Sequence, residues 1–301
     1  MSIMNRGSFG KALWPAINAW YGEAYSEYPV EYTALFTTNT SDKAFEEDVG
    51  ISGFGLAAVK PEGSGIVYDA MQQGFITRYN HTVYGMGFVI TEEMVEDDQY
   101  MIVGKRNSQS LAYSLRQTKE TLAALVYNRA FNPSYIGGDA KELLATDHPN
   151  VAGGTWANEL STAADLSQVA LEQAFIDISK YTNDRGLKIA VRPQKLIIPA
   201  DLMFEADRIL MSPLESGNSN NDINVMKGKF PQGVVVNHYL TDADAWFIMT
   251  DVPHGMKYWE RRADSFSEDD DFDTNNLKYK ATFRCSFGWT DPKGLFGSPG
   301  A

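Results

Sequence analysis

The chain has 301 residues, 44% of them hydrophobic and 22% charged, which is the composition of a folded protein of one large or two modest domains rather than a disordered or fibrous one. A formal net charge of −13 argues against a protein whose main task is gripping phosphates and favours solubility. No stretch approaches the roughly 18 consecutive apolar residues of a membrane span, residues 1–8 lack the pattern of a secretory signal, and the single cysteine, Cys285, allows neither an intrachain disulfide nor a site of several thiolates, as expected for folding in a reducing cytoplasm.

Residues 1–49 are aromatic-rich and poorly periodic. A short helix is predicted over 13–21, with Pro15 tolerated in its first turn. Tyr25, Tyr28, Tyr32 and Phe36 follow without a sustained period, as in a segment that packs against its own core or a neighbour. Between 50 and 91, glycines punctuate β-prone runs at 65–68, 75–79 and 82–90, with a turn at Lys60-Pro61-Glu62-Gly63. This reads as a long β-hairpin with little apolar surface of its own to stabilise it, with Gly85 and Gly87 marking a bulge or a close backbone contact.

A short helix is predicted over 92–98 and a long one over 107–131. In the latter Leu111, Leu115, Leu122 and Leu125 share one stripe, Arg116, Lys119 and Glu120 cover the other side, and Asn132-Pro133 is the stop. A second helix runs from 166 to 180, with Asp165 as its N-cap and Gln168 completing a capping box. Then come a strand over 195–198, a helix over 201–210, a polar loop over 217–222, and strands over 233–237, 246–249 and 256–261. The most regular stretch is last. Tyr279, Ala281, Phe283, Cys285 and Phe287 alternate with Lys278, Lys280, Thr282, Arg284 and Ser286, giving one core face and one cationic face. The fold class is α+β.

Chemistry-bearing patterns are sparse. There is no phosphate loop, no dinucleotide fingerprint and no paired metal-binding histidines on one helix turn. Asp147-His148, with Ser161 or Ser167 as nucleophile, is a weak hydrolase candidate without a nucleophile elbow; a hydrogen-bonded loop histidine is the plainer reading. Asp269, Asp271 and Asp273 have alternate carboxylates but lack the glycine and the glutamate of a calcium loop. A solvated acidic turn entering the last strand fits better, its charge able to pair with Lys278, Lys280 and Arg284 within the chain or across an interface. No catalytic, cofactor or metal residue is assigned.

Several stretches do resemble a known family. Met71-Gln72-Gln73-Gly74-Phe75, Ser114-Leu115-Arg116-Gln117-Thr118-Lys119-Glu120, Val191-Arg192-Pro193-Gln194-Lys195-Leu196-Ile197-Ile198-Pro199, Asn221-Asp222-Ile223-Asn224-Val225 and Ser286-Phe287-Gly288-Trp289-Thr290-Asp291-Pro292 are similar, in order, to segments of major capsid proteins of tailed bacteriophages, including the Mu-like head subunit group. The resemblance implies the HK97-like fold: an N-terminal arm (1–49), an extended loop (50–91), a peripheral domain with a spine helix (92–186 and 255–301) and an axial domain (187–254). It also implies a non-enzymatic subunit that assembles with itself, as pentamers and hexamers, into an icosahedral virion capsid around double-stranded DNA. DNA contact would be weak and without sequence specificity. Partners would be a separate scaffolding protein, a portal and a maturation protease, with no membrane. Trp14, Trp20, Tyr25 and Tyr32 are the expected interface anchors. Some members crosslink a loop lysine; Lys60 is near the loop tip, but no matched acceptor is identifiable and no crosslink is expected. An encapsulin-type compartment shell is the alternative in the same fold, and a soluble hydrolase the alternative outside it.

Overall fold

The computed structural model describes residues 10–27, 29–96, 100–215, 222–271 and 276–301. In chain order, helices α1 (Gly10–Glu27) and α2 (Tyr32–Leu35) precede strands β1 (Thr37–Thr40), β2 (Phe45–Ile51), β3 (Gln73–Asn80) and β4 (Thr82–Ile90). Helices α3 (Glu92–Glu96) and α4 (Tyr100–Asn128) follow, then the two-residue strands β5 (His148–Pro149) and β6 (Thr155–Trp156) and helix α5 (Gln168–Ser179). The remainder is β7 (Pro193–Ile198), α6 (Met203–Met211), β8 (Val234–Val236), β9 (Trp246–Thr250), β10 (Met256–Asp270), β11 (Leu277–Trp289) and β12 (Leu295–Ser298). Contacts gather these into two compact units, Met1–Ala44 with Asn80–Ala123 and Tyr258–Ser286, and Phe45–Tyr79 with Ala124–Lys257 and Phe287–Ala301.

The first unit is built on a four-stranded sheet of order β1-β10-β11-β4. The alternation read in the last strand holds: Tyr279, Ala281, Phe283 and Cys285 are buried. The antiparallel register sets Phe283 opposite Tyr84 and Tyr279 opposite Phe88, and these rings stack at 5.3 and 5.0 Å. Close approach explains one glycine of β4, since a Cβ on Gly87 would run into the Tyr279 carbonyl. Strand β10 continues nine residues past the predicted end at 261, so Glu268 and Asp269 lie in a strand and not in a turn. The expected pairing with the cationic face is present at Asp271 and Lys278, 2.7 Å apart.

Helix α1 is twice the predicted length, and Ile17, Tyr21 and Ala24 form its buried stripe. Tyr21 stacks on Phe266 at 4.6 Å. Helix α4 starts seven residues before its predicted start and stops three short of Phe131, making a rod of about 43 Å at 1.5 Å per residue. Leu111 and Leu115 are buried as expected, whereas Leu122 and Leu125 are half-buried.

The expectation that Arg116, Lys119 and Glu120 cover a solvent face is wrong: all three are buried. Lys119, 2% exposed, donates to Asp264 Oδ2 at 2.9 Å and to Tyr25 Oη at 3.1 Å. Glu260 lies 4.0 Å away and the Phe283 ring 5.0 Å. Tyr25 in turn donates to Asp264. Burial pushes the Lys119 ammonium towards neutrality, but the Asp264 charge, followed by Tyr25, outweighs it and holds the pKa above the usual lysine value. Glu120 accepts the amides of Glu31 and Tyr32 at 3.0 and 2.9 Å, satisfying donors at the start of α2. Arg116 donates to the Tyr25 carbonyl at 3.2 Å. Tyr25 and Tyr32, expected as anchors for a neighbour, therefore serve their own unit; the Trp14 side chain lies outside the described residues.

The second unit contains a sheet of order β12-β9-β7-β8, with β7 and β8 parallel and the other pairs antiparallel. Helix α5 packs Leu171, Ala174 and Ile178 into a core shared with Leu196, Ile198, Ile209, Trp246 and Phe296. Its N-cap is Ser167, which accepts the Ala170 amide at 3.2 Å, and not Asp165, which accepts from the Ala301 amide at 2.9 Å. The helix begins two residues later than the capping box implied, so Gln168 is its first residue. The predicted polar loop over 217–222 lies, but for Asp222, outside the described residues, as do positions 97–98.

Because Lys119 and Asp264 are buried together, removing one strands the other. Lys119→Met is expected to destabilise the chain by about 3 to 5 kcal/mol, measured by urea denaturation. The Lys119→Met/Asp264→Leu double variant should lose less than the single one. The raised pKa has a defined pH signature: the stabilisation is full below the unfolded lysine pKa and disappears as pH rises through the higher folded value.

Candidate assembly surface

Strands β2 and β3 form a separate two-stranded hairpin, so its stem starts at Phe45, ahead of the predicted 50, and β4 belongs to a different sheet. The base of the stem is anchored. Asp48 accepts from Lys257 and, at 2.7 Å, from Thr290 Oγ1. The buried Tyr79 hydroxyl bonds Thr290 at 2.7 Å, and its ring leaves no room for a Cβ at Gly288. Burial would raise the Asp48 pKa, but the Lys257 and Thr290 hydrogen bonds and the Lys257 charge bring it below the usual carboxylate value.

Beyond the stem the predicted strand at 65–68 is not formed. Ile66, Val67 and Tyr68 are consecutively exposed, so there is no alternation and no face to bury, and no strand of the described residues pairs with them. The segment 52–72 is closed at its neck by Ser52 and Gln72, which exchange Ser52 N to Gln72 O (2.9 Å) and Gln72 N to Ser52 Oγ (3.0 Å). Its apolar side chains point outward: Phe54, Leu56, Val59, Ile66, Val67, Tyr68 and Met71 are all exposed, Val59 and Tyr68 at 93% and 92%. Monomers rarely present so much contiguous apolar chain unless it is covered in use. Lys60 lies in this exposed run.

The catalytic candidates are placed differently from a triad. His148 is fully buried, its Nδ1 2.6 Å from Asp139 Oδ2 and its Nε2 3.0 Å from Asn158 Oδ1, with the ring stacked on Trp156 at 4.7 Å. Asn158 also donates to the carbonyls of Leu143, Pro292 and Leu295 and accepts the Ala145 amide. Both histidine nitrogens are thus committed to structural partners, and the carboxylate is Asp139, not the neighbouring Asp147, which pairs with Lys141. Ser167 is a helix cap. A cavity of about 630 Å³ lies among Asp48, Trp156, Asp251, His254 and Lys293, but its charged groups are engaged: Lys257 with Asp48, Lys293 with Asp184 at 3.3 Å, and Asp251 with the Arg192 amide at 2.8 Å. Burial pushes the Cys285 thiol up to about 12, which keeps it protonated and unreactive. Among the described residues no group of three or more His, Cys, Asp or Glu is arranged for a metal ion; Asp273 of the acidic run lies outside them.

The sequence and the fold both have relatives. A family model described as phage capsid protein matches residues 76–297. The major capsid protein of Escherichia phage Mu is 23% identical over 273 residues, covering 78% of this chain and 85% of that protein. A chain of the bacteriophage JBD30 procapsid superposes with a TM-score of 0.54 at 14% identity, over 97% of this chain and 75% of its own. The virus-like particle from Pyrococcus furiosus gives 0.57 at 10% identity, over 94% and 98%. The mature capsid of bacteriophage PhiM1 gives 0.57 at 10%, over 90% and 86%. At such identities the structural matches establish the fold alone, which is the HK97-like one.

The His148 cluster is expected to behave as packing. His148→Ala removes two buried hydrogen bonds and a stacked ring, and should lower unfolding free energy by about 2 to 4 kcal/mol in a thermal or urea melt.

Proposed function

The chain belongs to the phage capsid protein family, as a structural shell subunit of the virion capsid, and from that premise we propose that it closes on itself into an icosahedral shell of pentamers and hexamers around double-stranded DNA. The observation that supports this is the 52–72 segment, whose exposed apolar side chains its own unit leaves uncovered. Laid over a neighbouring copy, they would be removed from water, and a modest gain per contact would be repeated around a closed array.

The fourfold division remains part of this proposal: arm 1–49, loop 50–91, peripheral domain 92–186 with 255–301, and axial domain 187–254. The hairpin Phe45–Ile51 and Gln73–Asn80 straddles the arm–loop boundary of that division, with 45–49 on the arm side. A separate scaffolding protein, a portal and a maturation protease are the proposed partners. No catalytic step is proposed for the chain itself. No helix of the described residues is long and apolar enough to cross a membrane.

Electron microscopy of the purified, untagged chain, with light scattering for mass, tests the reading. Closed shells or rings of five or six subunits are expected, and shell diameter separates a phage head from a small protein compartment. A chain that stays a monomer even with scaffolding protein would overturn it. In the same assay Val59→Asp and Tyr68→Asp should suppress shells while leaving the stability of the unassembled chain within about 0.5 kcal/mol, because both side chains are solvent-exposed there.

A further inference from the structure

We propose that Arg185 is a positioning residue for assembly, holding the neck of the 52–72 loop so that its apolar face meets a neighbouring copy in one orientation. This deepens the reading of that loop as the assembly surface and rests on it.

Two groups of the loop converge on the guanidinium. Arg185 Nη1 donates to Asp69 Oδ2 at 2.6 Å, and Nη2 donates to the Ala70 carbonyl. The same Asp69 oxygen accepts the Gly55 amide at 2.8 Å, so the carboxylate ties the two sides of the neck together while the arginine ties both to the body of the unit. Residue 55 sits close against this cluster. A Cβ there would come within 3.3 Å of Asp69 Oδ2 and 3.4 Å of Arg185 Nη1. The Gly55 amide, followed by the Ala70 amide and the Arg185 guanidinium, outweighs desolvation and keeps the Asp69 pKa below the usual carboxylate value. Among the described residues, the side-chain hydrogen bonds that leave segment 53–71 all go to Arg185.

The arginine stands on a rigid mount. Asn183 Oδ1 accepts the amides of Arg185 and Leu187 at 3.0 and 2.9 Å, the Asn183 amide reaches the Leu187 carbonyl at 2.7 Å, and Gly186 takes φ +78° to complete the turn. Asp184, between them, is fixed by the Ala152 amide and by Lys293. The Arg185 side chain is itself mostly buried, 20% exposed. A turn braced on both flanks, presenting one long cation to a loop that has no other such support, is an arrangement for aiming that loop.

The physical role follows from entropy. A loop free to swing would have to be ordered at the moment of docking, and that cost would be subtracted from every subunit contact. Pinning the neck moves the ordering into the unassembled subunit. An ion pair whose carboxylate is 43% exposed adds little to global stability, so the tether is expected to act on association and loop dynamics rather than on unfolding.

The test uses the full chain with Arg185→Gln, with Asp69→Asn, which leaves the mount untouched, and with the charge-swapped pair Arg185→Asp/Asp69→Arg. Amide hydrogen exchange over 55–72 should speed up on the order of tenfold in both single variants. The assembly rate followed by light scattering should fall several-fold, with the melting curve unchanged, and the swapped pair should recover part of both losses. Single variants that assemble at the parent rate with parent-like exchange overturn the tether. A lowered melting temperature with unchanged exchange in the loop also overturns it, because that pattern marks a merely structural arginine. A parent chain that never assembles overturns the underlying assembly reading instead, and the proposal with it.

Discussion

A lysine ammonium enclosed by Tyr25, Tyr32 and Phe283 is tolerable only where its charge is matched, and matching it dictates how the first unit is put together. The carboxylate comes from Asp264 on β10 and the hydroxyl from Tyr25 on α1, so partnering Lys119 of α4 brings three elements to one point. Three residues before it and one after it, Arg116 and Glu120 bind the end of α1 and the start of α2. Such a cluster costs more to desolvate than an apolar filling of the same volume would. What it adds is specificity: a helix shifted by one turn leaves charges without partners. The buried Asp264 Oδ1, which has no hydrogen-bond partner, shows that even the correct arrangement is not free of cost.

The contrast with the 52–72 segment is what points to assembly. In the N-terminal segment Ile17, Tyr21, Leu35 and Phe36 turn inward and are buried. The loop does the opposite, spending its hydrogen bonds at the neck and leaving its apolar groups in water. One chain thus contains both solutions available to an apolar segment that cannot form its own core. It can be fastened to its own body by charge, or it can be held ready for another body to cover. A shell subunit needs the second solution somewhere, because an array has no other source of cohesion than surface left open by the monomer.

Much of this was legible from sequence wherever a period was long enough. The alternation of β11 and the apolar stripe of α5 were readable because each buries one face against a continuous partner. The reading failed where the partner is distant in sequence. Arg116, Lys119 and Glu120 have the spacing of a solvated helix face, and only α1 and α2, some 90 residues earlier, with β10, 145 residues after Lys119, make them a buried one. The strand expected at 65–68 had the right residue types, but β-propensity reports fit to a pleated, half-buried surface, and none is offered there. His148 beside Asp147 suggested chemistry by adjacency, whereas Asp139 and Asn158 bracket the ring, nine and ten residues away. The Arg185 tether gave no sequence signal, since nothing local distinguishes an arginine in an Asn-Gly turn that supports a loop more than a hundred residues earlier.

The cationic face of β11 bears on the proposed indifference to packaged DNA. Read alone, Lys278, Lys280 and Arg284 along one strand look like a phosphate-binding stripe. In the folded unit Lys278 is paired with Asp271, and Arg284 donates to the carbonyls of His81 and Ala44. Arg262 from the adjoining strand donates to Thr282. Lys278 is thus matched by a carboxylate, whereas hydrogen bonds to neutral carbonyl and hydroxyl oxygens orient Arg284 and Arg262 but leave their charge in place. Counterion release from DNA requires cations free to replace condensed salt, so a wall that encloses a polyanion without holding it would owe this to the chain's net charge of −13 and not to neutralisation of this strand.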